Sequence, residues 1–290
     1  MGSALPPSTS SGTRCWWLRL ERTSAKPMQQ VELEGRLVSS LGSAGRFAAA
    51  AVPRVDGSYA TAVTVAGEVF AGLLAEDAPG NSVERPSVLQ AKQLGTALAT
   101  LHRQGDSKLA KQRLVIDMRH LAHGPLERLR RAVPSHWYSA EKLEAKVSEL
   151  AELAWPSDEL PAGFCHGDVH CGNIHYDGSA PCLFDFGEVG YGPSCYDLAC
   201  YWRKRRLSEA EPEVWTAEWE AILAGYGDVR PLSPEELRAI PALGVLRALW
   251  TMAMPTLPGC ASWGGEWIRS PEYFRAHLKM IDRLAGHVSA

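Results

Sequence analysis

The sequence predicts an α+β protein whose first part is small and rich in strands and whose second part is large and mainly helical. Residues 14–22 alternate apolar and polar side chains, and residues 61–76 contain two apolar runs separated by a short turn. Beyond residue 81, apolar side chains recur at spacings of three and four. The first two patterns are typical of strands and the third of amphipathic helices.

The first strand is predicted in RCWWLRLER, residues 14–22. Its apolar side chains Trp16, Leu18 and Leu20 alternate with a second set that includes Arg19. This period of two indicates a strand with one buried face.

A helix and a hairpin follow this strand. The segment PMQQVELEGRLVSSLG, residues 27–42, starts with a proline and ends with a glycine, as helices often do. The runs at 61–65 and 69–76 are joined by Ala66, Gly67 and Glu68, a connection that predicts a β-hairpin.

The second part is predicted to begin near Ala78 and to be mostly helical. We place a disordered Pro/Ser/Gly-rich lead at 1–12, the first part at 13–78 and the second part at 79–290. Apolar stripes predict helices in five segments of the second part, at 87–105, 143–154, 215–226, 234–254 and 270–286.

Composition excludes several classes of protein. The formal net charge of −3 argues against a broad basic face for nucleic acid, and we interpret the basic run at 203–206 as a solvated helix end.

No stretch reaches the roughly 18 consecutive apolar residues of a membrane span. The first 12 residues lack the pattern of a secretion signal, so we expect a soluble, cytoplasmic protein. Seven cysteines without a repeated CxxC spacing indicate reduced thiols.

The segment FCHGDVHCGNIHYDGSAPCLFDFG, residues 164–187, is dense in polar and ionisable side chains. A zinc site is disfavoured because Gly167 and Gly172 interrupt the helix that would align His166 with His170, and no second ligand pair has finger spacing. A polar loop without chemistry leaves the two acidic motifs and the apolar strand between them unexplained.

A phosphoryl-transfer site explains the same residues better. Such a site needs a carboxylate to accept the proton of the attacking hydroxyl, and an amide and a second carboxylate to hold Mg²⁺ against the nucleotide phosphates. Asp168, Asn173 and Asp185 supply these groups in that order. Hard oxygen ligands in small number suit Mg²⁺.

The segment HGDVHCGNIHYD, followed by CLFDFGEVGYGPSCYDLACYW, resembles the signature of the aminoglycoside phosphotransferase and choline kinase superfamily. The resemblance covers roughly residues 15–285 and implies a two-lobed, protein-kinase-like fold that uses ATP and Mg²⁺. It implies a catalytic base at Asp168, magnesium ligands at Asn173 and Asp185, and a brace under the catalytic loop at Asp197. His166 and His170 would orient that loop.

The likeness also implies the adenine site. LLAEDAPGN is similar to the family's hinge, where backbone groups of Glu76, Asp77 and Ala78 would meet the base. The C-terminal segments are similar to the subgroup that contains stress-response kinase A and type II homoserine kinases.

The sequence departs from the family pattern in the first part. The position of the phosphate-binding lysine is occupied by Arg19, whose acidic partner would be Glu34 or, less favourably, Glu32. The two strands and the phosphate-covering loop expected upstream have no counterpart before residue 14. We do not assign that loop to GSAG at 42–45, which follows a helix.

We therefore expect a kinase that phosphorylates a hydroxyl group of a small molecule, such as an amino alcohol, a homoserine-like compound or an antibiotic. A protein Ser/Thr kinase is the first alternative, and a pseudokinase or nucleotide-binding interaction module is the second. Acidic side chains at 209–220 suit a cationic substrate, but a solvated helix face explains them more simply. Nucleic-acid and membrane partners are not expected, and the oligomeric state is not predicted.

Overall fold

A computed structural model of the chain describes residues 15–41, 46–155, 160–207, 212–257 and 266–288, and only the backbone of 212–214. The lead at 1–12, the segment 42–45, the side chains of Glu209, Glu211 and Glu213, and Cys260 lie outside these residues.

The described strands are β1 Trp16–Arg22, β2 Ala60–Val65, β3 Glu68–Glu76, β4 Asn81–Ser82, β5 Ala162–Cys165, β6 Ile174–Asp177, β7 Ala180–Leu183 and β8 Gly190–Pro193. The described helices are α1 Met28–Ser39, α2 Val88–Gln104, α3 Ser107–Arg113, α4 Gly124–Ala132, α5 Ala140–Ala154, α6 Tyr196–Leu207, α7 Pro212–Gly227, α8 Pro234–Ala253 and α9 Pro271–Ala285. A single π-helical turn spans Arg119–His123.

The N-terminal region is a three-stranded antiparallel sheet in the order β1-β3-β2, with α1 packed against it. The predicted hairpin is confirmed: β2 and β3 pair from Val65 opposite Glu68. Ala66 and Gly67 at its turn both have positive φ, at 50° and 80°, as a two-residue turn that follows the twist of the strands requires.

Strand β1 is present, and its more buried face carries the polar set of side chains rather than the apolar set. Trp16 and Leu18 are each 51% exposed, whereas Arg19 on the opposite face is half-buried. The reason lies in the register: Arg19 pairs with the buried Leu73, so the polar set of β1 shares the inner face of the sheet.

The N-terminal sheet is joined to the rest of the protein beside the signature segment. Ala48 forms a parallel bridge with Leu183 of β7, and Ala51 bridges Ala75 of β3. This apolar stretch therefore ties the end of β3 to the strand that leads into Asp185.

The remainder of the described chain is mainly helical, as predicted, with α2 packed on α7 and α8 on α5, α6 and α9. Helix α8 lies at the centre of this region. The segment Pro234–Thr256 is long and apolar enough to cross a membrane, but 72% of its apolar window is buried inside the protein, as in the core helix of a soluble protein.

Two predictions of solvated charged runs hold for Lys204 and Glu220, which are exposed, and are wrong for other members of the runs. Arg203 and Arg205 in the basic run are buried, and so is Glu218 in the acidic segment. Arg205 pairs with Glu218 at 2.6 Å, which neutralises both charges inside the helical region. Among the described residues, Cys165, Cys171, Cys182, Cys195 and Cys200 have free thiols.

Candidate active site

The polar signature forms a loop and a hairpin that follow the buried strand β5. The loop runs from His166 to a 3₁₀ turn at Cys171–Asn173, and β6 and β7 then form the hairpin. The N–H of Phe184 donates to the carbonyl of Asn173 at 3.0 Å. The hairpin thus brings the chain back beside the loop: Phe184 is bonded to Asn173, and Asp185 is the next residue.

Asp197 lies fully buried beneath this loop. Its Oδ2 accepts the backbone N–H of His166 at 2.7 Å, and its Oδ1 accepts that of Gly167 at 2.8 Å. Nε2 of His102 lies 2.8 Å from the same Oδ2. Burial alone would raise the pKa of Asp197, but these bonds and the nearby histidines lower it, so the carboxylate stays charged.

Gly167 makes this attachment sterically possible. Its φ is +89°, and a Cβ there would lie 2.1 Å from the carbonyl oxygen of Glu188. A side chain at this position would therefore push the loop away from Asp197.

The carboxylate of Asp168 is 26% exposed and lies between two basic side chains. Nη2 of Arg247 lies 2.9 Å from Oδ1, and Nε2 of His170 lies 3.6 Å from Oδ2. Burial would raise the pKa of Asp168, but Arg247 and His170 outweigh it and hold the pKa far below its usual value. Asp168 is therefore a charged acceptor at neutral pH.

The two histidines of the signature make bonds within the loop. The N–H of Asp168 donates to Nδ1 of His166 at 3.3 Å, so Nε2 of His166 carries the proton and lies 3.0 Å from the carbonyl of Phe184. Nδ1 of His170 accepts the N–H of Gly172 at 3.0 Å and caps the 3₁₀ turn.

Asn173 and Asp185 present oxygen atoms of the kind that bind hard cations. Nδ2 of Asn173 donates to the carbonyl of Asp168 at 3.0 Å, which leaves Oδ1 as the atom of this amide that can hold a cation. Asp185 is 52% exposed and adopts a left-handed conformation with φ of 58°. One neutral and one charged oxygen ligand fit Mg²⁺, which keeps several waters when bound. Among the described residues, no three His, Cys, Asp or Glu side chains converge as a metal cluster.

Arg19 extends from β1 toward the same place. Its Nη2 donates to both carboxylate oxygens of the buried Glu34 at 2.6 Å, and its Nη1 donates to Oδ1 of Asp185 at 3.1 Å. Glu32 instead accepts the backbone N–H groups of Tyr59 and Ala60. Of the two acids considered for Arg19, the structure brings Glu34 to it.

Glu34 has a second basic partner. Nη2 of Arg113 lies 3.3 Å from Glu34 and donates to the carbonyl of Gly187 at 2.6 Å. Burial would raise the pKa of Glu34, but Arg19 and Arg113 lower it. Helices α1 and α3 are therefore joined at Glu34 to the turn that follows Asp185. Lys26 donates to the same Gly187 carbonyl at 2.8 Å.

The hinge segment lies at the end of β3 and is held by backbone bonds. The N–H of Glu76 donates to Ala50 at 2.9 Å, and the N–H of Asp77 donates to Cys15 at 3.2 Å. The carbonyl of Ala78 lies 3.0 Å from Nδ1 of His175. These three backbone groups are therefore engaged within the protein.

The sequence interpretation missed four residues that the structure places at the site: Lys26, His102, Arg113 and Arg247. Each contacts a residue of the site, at Gly187, Asp197, Glu34 and Asp168 respectively. Each lies in an ordinary helical or turn sequence, and no local spacing marks it. Only knowledge of which helices pack beside the loop could have found them.

Comparison with known proteins shows the family. A model described as "Phosphotransferase enzyme family" matches residues 8–237. An uncharacterised protein of Deinococcus radiodurans is 31% identical over 246 residues, which is 84% of this chain and 72% of that protein. A homoserine kinase of Caulobacter sp. (strain K31) is 32% identical over 201 residues, 67% of this chain and 59% of the kinase. The chain thus spans somewhat over half the length of that kinase.

Solved structures show the same fold. The amicoumacin kinase hAmiN, in complex with AMP-PNP, Ca²⁺ and Ami, has a TM-score of 0.69 at 20% identity, covering 94% of this chain and 82% of that one. A microcompartment-associated aminopropanol kinase also has a TM-score of 0.69, at 19% identity, covering 96% of this chain and 86% of that one. With the family match over most of its length, this chain belongs to the phosphotransferase enzyme family and has its two-lobed, kinase-like fold.

Proposed function

We propose that the protein transfers the γ-phosphate of ATP, in the presence of Mg²⁺, to a hydroxyl group of a small molecule. The observation that carries this proposal is the position of the Asp168 carboxylate. It is partly exposed beside Asn173, on a loop fixed from below by the buried Asp197. Asp185 and Arg19, the groups suited to a cation and to phosphate, contact one another beside that loop.

In the proposed reaction, Asp168 orients the acceptor hydroxyl and receives its proton. The hydroxyl oxygen forms a bond to the γ-phosphorus while the bond from that phosphorus to the β,γ-bridging oxygen breaks. The electron pair of the broken bond leaves with ADP, so the products are ADP and a phosphate monoester. Because little covalent chemistry falls to the protein, positioning and charge stabilisation account for most of the rate.

The binding of nucleotide would separate the ion pair of Arg19 and Asp185. Asp185 now accepts a hydrogen bond from Arg19. When ATP binds, its phosphates would take the guanidinium of Arg19, with Lys26 nearby, and the cation would take Asp185 and Asn173. Mg²⁺ at that position would neutralise charge on the β- and γ-phosphates. Glu34 would keep Arg19 oriented throughout.

The other residues of the signature would serve to position the catalytic loop. Asp197 holds the N–H groups of His166 and Gly167, and His170 caps the turn that carries Asn173. We assign the nucleotide-binding lobe to residues 13–78, with adenine at Glu76–Ala78, and the catalytic and acceptor-binding lobe to residues 79–290.

The acceptor is proposed to be a small hydroxyl compound rather than a protein. The relatives include a homoserine kinase, and the structures of similar fold include an aminopropanol kinase and an antibiotic kinase. A requirement for ATP and the free, largely buried thiols are in keeping with a place in the cytoplasm.

The test is a screen of ADP release and phosphate-ester formation with ATP and Mg²⁺. Pools of amino alcohols, hydroxy amino acids, aminoglycosides and generic protein substrates serve as acceptors. We expect a phosphate ester of a small molecule, and none with Asp168→Asn. Phosphorylation of the protein pool alone would indicate a protein kinase. Nucleotide binding without transfer to any acceptor would indicate a pseudokinase.

A further inference from the structure

A cluster of basic side chains, here called the wall, lies beside Asp168 and consists of Arg247, Arg203 and Lys204. Arg247 of α8 is 4% exposed, contacts Asp168 and lies over the ring of Trp250 at 4.1 Å. Arg203 of α6 is also 4% exposed, and Lys204 beside it is exposed. Asp168 lies within electrostatic reach of both Arg203 and Lys204.

The two buried arginines are brought together by the packing of α6 against α8. Gly244 permits the close approach, because a Cβ there would lie 2.8 Å from the Trp202 ring and 3.1 Å from the Ala199 carbonyl. Arg203 and Arg247 lie about one turn further along their helices and are close enough to repel one another.

The two buried arginines of this wall have fewer acidic partners than they have positive charges. The Nε atoms of Arg203 and Arg247 are buried and have no hydrogen-bond partner, and no described carboxylate forms an ion pair with Arg203. Burial and the charge of Arg247 lower the pKa of Arg203 and outweigh the opposing effect of Asp168. Asp168 and, at longer range, Glu188 are the acids that act on Arg247. Burial of a guanidinium without a partner is unfavourable, so an anion that completes this wall would bind favourably.

The neighbouring histidine does not supply further charge. His120, on the π-helical turn, lies beside Trp250 with ring centroids 5.7 Å apart. Burial, Arg247 and Arg128 lower the pKa of His120 to about 3, so it is neutral near pH 7.

We propose that Arg247 and Arg203 form a subsite for an anionic group on the acceptor, so that the substrate is a hydroxy acid or hydroxy amino acid rather than a neutral or purely cationic alcohol. Arg247 already holds one carboxylate, that of Asp168, at 2.9 Å. The planar fork of a guanidinium suits a carboxylate, and a carboxylate from the acceptor would take the position that Asp168 now occupies on Arg247. Asp168 would thereby be released toward the acceptor hydroxyl. This inference rests on the function proposed above.

The test compares acceptors that differ only in the carboxylate. L-Homoserine is paired with 3-aminopropan-1-ol, and L-threonine with 1-aminopropan-2-ol. For at least one pair, we expect kcat/KM of the wild-type protein to favour the amino acid by roughly 10- to 100-fold, the range for a charge-assisted contact made by one partner alone. Equal or better use of the amino alcohols in both pairs would overturn the subsite.

Substitutions assign the preference to the wall. Arg247→Met should bring the ratio of the two acceptors toward one, Arg247→Lys should leave an intermediate ratio, and Arg203→Met should reduce it in part. Arg238→Met, on an exposed position of the same helix, is the matched control and should leave the ratio unchanged. Loss of both acceptors in equal proportion, or a rise in KM for ATP alone, would overturn the proposal, and the second result would assign Arg247 to the nucleotide phosphates.

A binding experiment separates this proposal from the proposed function, because it needs no phosphoryl transfer. Calorimetry would compare L-2-aminobutyrate with propylamine, which lack the hydroxyl and differ in the carboxylate. We expect the wild-type protein to bind the amino acid only. Arg247→Met should lose this binding, and if that variant does not fold, Arg203→Met serves in its place and should lose it too. Equal binding of both compounds, or of neither, would count against the subsite. Transfer to amino alcohols alone would contradict the subsite while leaving the phosphotransferase function intact.

Discussion

Nε2 of His102 on α2 lies 2.8 Å from Oδ2 of the buried Asp197, and this same oxygen accepts the backbone N–H of His166. Nδ1 of His102 lies 2.8 Å from the hydroxyl of Tyr226 on α7. The loop that carries Asp168 is therefore connected through one carboxylate to two packed helices. Its position depends on residues distant from it in sequence.

This connection predicts a graded effect of substitution. His102→Leu removes a bond to a buried charge, so we expect a loss of about 1–3 kcal/mol in the free energy of unfolding and a lower kcat. Tyr226→Phe removes only the outer hydroxyl and should cost about 0.5–1.5 kcal/mol. Urea unfolding and steady-state kinetics would measure both. Equal effects of the two substitutions would show that Asp197 does not depend on the histidine.

Asp168→Asn tests the proposed base. The amide keeps the size of the side chain but accepts no proton from the hydroxyl, so we expect kcat to fall by roughly 10² to 10⁴ while nucleotide affinity stays nearly unchanged. Because the buried Arg247 loses its carboxylate partner, the free energy of unfolding should fall as well, and turnover is compared at a temperature where both proteins are folded. Asp177→Asn, at an exposed position on β6, is the control. Unchanged turnover in Asp168→Asn would remove this residue from the mechanism.

Asp185→Asn tests the proposed cation site. The remaining ligand, Asn173, carries no charge to offer Mg²⁺, so the substitution should weaken the part of nucleotide binding that depends on the metal. Calorimetry with ATP, with and without Mg²⁺, separates that part from the rest. An equal loss of affinity in both conditions would show that Asp185 acts only through its contact with Arg19.

The fold class and the candidate site residues of the signature could be identified from the sequence because both depend on local patterns. Strand and helix periods place the elements, and the spacing from Asp168 to Asn173 is set within a single loop. Which face of β1 is buried was not predicted, because its inner face borders a charged cluster and not an apolar core. Alternation alone does not say which face of a strand is buried.

Long-range ion pairs could not be predicted from the sequence. Arg113 reaches Glu34 across 79 positions, and Arg247 contacts Asp168 from a helix whose sequence is otherwise that of a core element. Likewise, the run at 203–206 looks like a solvated helix end, yet Arg205 is buried because Glu218 on α7 neutralises it. Charge burial depends on the partner, which no local pattern supplies.

The last prediction concerns Glu34, which is buried between the guanidinium groups of Arg19 and Arg113. Glu34→Gln keeps the shape of the side chain but leaves the deeply buried Arg113 without its carboxylate partner and Arg19 with Asp185 alone of the two acids described at the site. We expect the free energy of unfolding to fall by about 3–5 kcal/mol at neutral pH, as when one partner of a buried ion pair is removed. Glu152→Gln, at an exposed position of α5, is the control and should change it little.

The same carboxylate should make stability depend on pH. Its pKa in the folded protein lies below the ordinary value of 4.5, so its contribution is fully present above that value and is lost as the pH falls toward the folded pKa. The free energy of unfolding of the wild-type protein should therefore decrease below about pH 4.5 more steeply than that of Glu34→Gln. Urea unfolding at several pH values between 3 and 7 would measure both slopes, and parallel slopes would show that Glu34 is not held charged by the two arginines.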